Sequence, residues 1–92
     1  MPNASHLTSA PASVATSHGS LNDHALARRA SHDPGAFAEL YRRHLTSVYR
    51  YHLARTGNVE DAQDLTAQTF LAALEAVASY RGPGTFAGWL FG

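Results

Sequence analysis

Four side chains carry the most suggestive chemistry in this sequence: Asp64, Gln68, Leu71 and Glu75, spaced at i, i+4, i+7 and i+11. On a helix that spacing gathers them on one face. An ordinary solvated face carries charges of both signs, laced by i, i+4 pairs. This one has two carboxylates, an amide and a leucine, and no arginine. Two readings are open. The face is an acidic solvent surface with one exposed leucine, which proteins tolerate, or it is a docking stripe for an Arg-rich partner helix with Leu71 at its apolar centre.

A second group lies around the loop Arg81-Gly82-Pro83-Gly84: Tyr80, Arg81, Phe86 and Trp89. Aromatics beside an arginine can stack unpaired bases while the guanidinium reaches phosphate. Phe86, Trp89 and Leu90 at helical spacing equally suit the core of a small bundle, and on spacing alone the core reading is the stronger. The six histidines raise the question of a metal. His44 and His52 share a helix face but stand too far apart for one ion, and the chain has no cysteine and no HxxxH or HExxH pairing. His44 reads as a boundary histidine with one hydrogen bond. No Gly-rich phosphate loop follows a strand, and no nucleophile motif is present. The expectation is a protein that is not an enzyme and needs neither metal nor cofactor.

These residues must be positioned by helices, because the pattern from Asn22 onward is helical and shows no period-2 alternation. A short helix is expected from about Asp23, as N-cap, to Ala30. Ser31-His32-Asp33-Pro34-Gly35 breaks it, with Asp33 capping and Pro34 opening a second helix to about Arg55. Phe37, Leu40, Tyr41, His44, Leu45, Val48, Tyr51 and His52 form the broad inner face of that helix, opposite Arg42, Arg43 and Arg50. Gly57 suits a left-handed stop and Asn58 a cap. A third helix, Val59 to about Ser79, turns Ala62, Leu65, Thr66, Thr69, Phe70, Ala73, Ala76, Val77 and Tyr80 inward. Thr85 caps a fourth, short helix.

The chain has 92 residues, 45% of them hydrophobic, and seven acidic residues balance seven basic ones, all arginine. Zero net charge argues against holding nucleic acid by bulk electrostatics alone. No apolar run approaches the roughly 20 residues that span a bilayer, and no secretory signal is legible, so the cytoplasm is the expected address. Residues 1–21, rich in Ser, Ala, Thr and Pro without a charge or an aromatic, are expected to form a disordered leader. The expected architecture is all-α: a small bundle of three helices plus the stub of a fourth over residues 22–92, incomplete at the C-terminus.

Three blocks of sequence resemble one family. Asp33-Pro34-Gly35-Ala36-Phe37, then Leu40-Tyr41-Arg42-Arg43-His44 and Val48-Tyr49-Arg50, are similar to the opening of bacterial RNA polymerase sigma factors of the extracytoplasmic-function type. Asp61-Ala62-Gln63-Asp64-Leu65-Thr66-Ala67-Gln68-Thr69-Phe70-Leu71-Ala72-Ala73-Leu74 resembles their core-binding segment, commonly DAEDLVQEVFLRAW. Tyr80-Arg81-Gly82, Phe86 and Trp89-Leu90 resemble the start of their promoter-melting segment. The resemblance implies that Asp61, Asp64, Gln68 and Leu71 dock onto the clamp helices of the polymerase's largest subunit. It also implies that Tyr80, Arg81, Phe86 and Trp89 contact the −10 promoter element, where a flipped base offers a π-face and a pairing edge.

Ala67, Gln68 and Ala72 depart from the family pattern, each removing or weakening a polar contact worth about 1 kcal/mol. The sequence stops ahead of the family's Ile-Ala-Arg-Asn stretch and its helix-turn-helix domain, so a product of this length is expected to lack promoter selectivity. The principal expectation is a transcription-initiation domain that binds core polymerase and helps open promoter DNA. Its rivals are a helical module or decoy that binds an anti-sigma protein without touching DNA, and a truncated remnant that does not fold stably.

Overall fold

The computed structural model describes residues 18–92, and every regular element in that range is helical. The helices are α1 (Asp23–Arg29), α2 (Pro34–Thr56), α3 (Val59–Ala76) and α4 (Phe86–Phe91), with a 3-10 turn, Val77–Ser79, extending α3. The all-α bundle of long and short helices is the one expected. Of the expected leader, residues 1–17 lie outside the described residues. Its last four are described and engage the bundle: a helical turn covers 18–20, and Leu21 packs against the core.

Local chemistry sets most helix ends. Asp33 caps α2 by accepting from the Gly35 and Ala36 N–H groups, with Pro34 in the first helical position. Gly57 stops α2 in the left-handed region, at φ 66°, and its N–H donates to the Leu53 carbonyl at 2.8 Å. Asn58 then caps α3 through the Asp61 N–H at 2.9 Å. A two-residue link leaves α2 and α3 no choice but to run antiparallel, side by side. Gly82 and Gly84 adopt φ values of 91° and 77°, which lets the chain turn sharply into Thr85, the cap of α4.

One cap differs from expectation. Asn22, not Asp23, caps α1, accepting from the Ala25 N–H at 2.9 Å. Asp23 is occupied elsewhere: its two carboxylate oxygens meet Arg43 Nη1 at 3.2 Å and His44 Nε2 at 2.8 Å. Arg43 therefore does not lie on a free outer face. Its Nε donates to Glu39 at 2.9 Å, and its Nη2 reaches the Gly19 carbonyl at 3.0 Å. One guanidinium thus ties the first turn, α1 and α2 together.

The core is built from Leu26 and Ala27 of α1 with Ala30 just past its end, Ala36, Leu40 and Val48 of α2, and Phe70 and Ala73 of α3, closed by Val77, Tyr80, Phe86 and Leu90. Small residues at Ala27, Ala30, Ala36 and Ala73 let the helices approach closely. Thr66 is the single buried polar side chain among the described residues, and it satisfies itself by donating to the Ala62 carbonyl at 2.7 Å. Three residues of the expected inner faces are exposed. Tyr41 and Tyr51 lie at the margin, edge-on to Phe70 and Phe91. Ala76, the last residue of α3, is exposed, while Val77 and Tyr80, in and just after the 3-10 turn, are buried as expected.

Candidate functional site

Two surfaces stand out, at different places on α3. The first is the outer ridge of the helix. Asp61, Asp64, Gln68, Leu71 and Glu75 are all exposed, within an arc of roughly 80° at about 100° per residue. α3 contains no basic residue, and no ion pair or side-chain hydrogen bond within the described residues engages these carboxylates or the Gln68 amide. On α2 the situation is opposite. Glu39 holds Arg42 at 2.8 Å and Arg43 at 2.9 Å, and those two guanidinium hydrogen bonds keep the Glu39 carboxyl below its ordinary range. The α3 ridge is acidic and unpaired, with Leu71 58% exposed at its centre and Leu74 50% exposed beside it. Leu74 is an addition to the predicted ridge. It sits three residues from Leu71, on the flank of the same face, and only its exposure identifies it.

The position of the ridge follows from the inner side of α3. Ala62, Thr66, Phe70 and Ala73 are buried at i, i+4, i+8 and i+11. His52 Nε2 and Thr69 Oγ1, hydrogen-bonded at 2.9 Å, fix the rotation of α3 against α2. With that side committed, the remaining side has to face outward.

The second surface is the end of α3 and the loop to α4. Tyr80, Phe86 and Trp89 form one aromatic cluster, with Tyr80–Trp89 ring centroids 5.5 Å apart at 86° and Phe86–Trp89 centroids 5.6 Å apart. The cluster faces largely inward. Tyr80 is 5% and Phe86 2% exposed. Phe86 stacks near the His44 ring at 5.2 Å, and the Tyr80 hydroxyl is hydrogen-bonded to His24 Nδ1 at 2.7 Å. Burial, reinforced by the nearby Asp23 charge, raises the Tyr80 pKa above its ordinary value. Tyr80 and Phe86, both expected to contact bases, have their rings in the bundle core in this arrangement. Trp89 is half-buried and Arg81 is exposed. Arg81 Nη1 donates to the Ala78 and Tyr80 carbonyls at 3.3 and 3.2 Å, which folds the side chain back over the end of α3.

No group of histidines and carboxylates among the described residues could hold a metal ion. His44 makes its single hydrogen bond, to Asp23. Among the described residues, no helix is long and apolar enough to cross a membrane. The two surfaces differ in character: the α3 ridge is acidic and apolar, and the α4 end sets an exposed arginine beside aromatic rings.

Comparison with known proteins identifies the frame in which these surfaces sit. Residues 40–92 match the family described as Sigma-70 region 2. The chain is 48% identical over 52 residues to the ECF RNA polymerase sigma factor SigE of Mycolicibacterium smegmatis, across 56% of this chain and 20% of that protein. It is 38% identical over 53 residues to the RNA polymerase sigma factor YlaC of Bacillus subtilis, across 58% of this chain and 31% of that protein. To the ECF RNA polymerase sigma factor BldN of Streptomyces coelicolor it is 41% identical over 56 residues, across 60% and 21%. The aligned stretch thus spans less than a third of each relative. No solved structure matches the chain. With the matched region covering both the α3 ridge and the α4 loop, the chain belongs to the RNA polymerase sigma factors, of the ECF type, through a sigma-70 region 2 domain.

Proposed function

We propose that this domain binds core RNA polymerase through the α3 ridge and handles the −10 element of promoter DNA at the α4 end, acting as a binding subunit with no reaction of its own. Asp61, Asp64, Gln68 and Leu71 dock onto the clamp helices of the largest polymerase subunit. The observation that carries the reading is the ridge itself, an acidic helix face with an exposed leucine and no basic residue to neutralise it. A cationic helical pair supplies the missing partners. Its arginines or lysines pair with Asp61 and Asp64, and an apolar side chain covers Leu71 and Leu74.

At the other end, Arg81 and Trp89 are the residues accessible to a melted strand, the first for phosphate and the second for base stacking. Tyr80 and Phe86 act behind them, holding the Trp89 ring and the loop in place. The reading puts the domain to work in the cytoplasm, beside the polymerase. An anti-sigma protein would act by covering the same ridge, in competition with polymerase.

Alanine substitution of Asp64, Gln68 and Leu71, singly and together, tests the docking assignment in a pulldown with core polymerase. Each single change is expected to weaken capture, and the triple variant to lose it. Undiminished capture by the triple variant would remove the assignment.

A further inference from the structure

Five of the seven arginines make no ion pair with a carboxylate of the described residues, and two of these five, Arg28 and Arg81, line one cavity. The cavity, of about 330 Å³, lies between the last turn of α1 and the end of α3, and Ser31, Val77, Ala78 and Tyr80 complete its wall. No carboxylate borders it. Arg42 and Arg43, by contrast, are neutralised by Glu39 and Asp23. Two guanidinium groups brought to one small polar cavity repel each other unless an anion lies between them, and a phosphate oxygen suits their planar donor forks. The carbonyl contacts of Arg81 use only its Nη1, which leaves its other N–H groups for a ligand.

We infer that this cavity is an anion site that takes a backbone phosphate of single-stranded DNA, with Arg28 as a DNA-binding residue alongside Arg81. The inference rests on the proposed reading of the α4 end and extends it. Tyr80 forms part of the cavity wall and meets Trp89 edge-on, with ring centroids 5.5 Å apart. The inferred path of a strand leads from a base on Trp89, past Tyr80 and Arg81, to a phosphate in the cavity. Aromatic stacking beside a cationic channel is the usual arrangement for holding single strands. Arg28 favours the carbonyl end of α1 in any case, but so does Arg29, which does not border the cavity and so provides a matched control.

The test uses the full chain and a fluorescein-labelled, mixed-sequence single-stranded oligonucleotide, titrated from about 50 to about 200 mM salt. Circular dichroism confirms that each variant keeps the wild-type helicity. Arg28→Ala is expected to weaken binding about three- to tenfold irrespective of sequence, and to reduce the salt slope by about 0.7, the value for one phosphate contact on a single strand. Arg28→Glu weakens it further, whereas Arg29→Ala changes it less than about twofold. Equal binding by wild type, Arg28→Ala and Arg28→Glu overturns the inference, as does an equal loss from Arg29→Ala. If those Arg28 variants bind as wild type while Trp89→Ala loses binding, the phosphate site falls and the promoter reading stands. If wild type binds no strand, both fall, and Arg28-dependent binding of inorganic phosphate alone would then identify a free-anion site instead.

Discussion

Replacing Leu71 with alanine separates a docking residue from a structural one, because the structure fixes how much of its effect belongs to each role. Complete burial of the three carbon groups removed is worth about 2.4 kcal/mol, at about 0.8 kcal/mol for each. Leu71 is 58% exposed, so about 1 kcal/mol of that is already realised in the free domain. Alanine's better helix propensity returns about 0.2 kcal/mol of the loss. The remaining share, about 1.4 kcal/mol, is gained only when a partner covers the side chain, and it corresponds to about tenfold in Kd. Leu71→Ala should therefore weaken polymerase binding about tenfold, measured by titrating labelled domain with core enzyme. Over the same change the melting temperature should fall by no more than about 4–8 °C. Unchanged affinity together with a larger thermal loss would show that Leu71 serves the fold and not a partner.

The converse substitution, Leu40→Ala, empties a fully buried position and should cost about 2–5 kcal/mol in urea unfolding. Gly57→Ala places a side chain at φ 66° and should destabilise by about 1 kcal/mol in the same assay, although a Cβ there has open space. The pH dependence follows from Glu39 and Asp33, whose carboxyls are held below their ordinary range by Arg42 and Arg43 and by His18 respectively. A carboxyl with a lowered folded-state pKa stabilises above its unfolded pKa and loses that contribution as pH falls through the folded value. Stability should therefore decline below about pH 4.3, the usual glutamate pKa, and Glu39→Gln should flatten the decline in an acid titration followed by circular dichroism.

What the sequence revealed of this fold divides by the range of the interactions involved. Asp33, Gly57, Asn58 and Thr85 act within a few residues of themselves, so their types and positions announce the helix ends they make. The α3 ridge was legible for a similar reason: the buried side at Ala62, Thr66, Phe70 and Ala73 has helical period, and the exposed side is its complement. The α1 cap is Asn22, one residue before the Asp23 that the sequence suggests, and Asp23 is engaged by Arg43 and His44, some twenty positions on. Arg43 read as an outer-face charge because nothing local shows that the chain before α1 returns to it. The core position of Tyr80 and Phe86 depends on residues far away in sequence: α1 supplies His24 to the Tyr80 hydroxyl and Leu26 to the same core. Nothing local in the sequence singles out Arg28, which shares a cavity with Arg81, far along the chain.

Photo-crosslinking can show whether the acidic ridge of α3 grips a cationic helical pair of the polymerase, as proposed. A photoreactive phenylalanine analogue at Gln68, exposed midway along the ridge, would be activated with core enzyme present and the adduct mapped by mass spectrometry. One dominant crosslink is expected, to the clamp helices of the largest subunit, abolished by Asp64→Arg. A crosslink to another subunit, or one that Asp64→Arg leaves intact, would contradict the proposal.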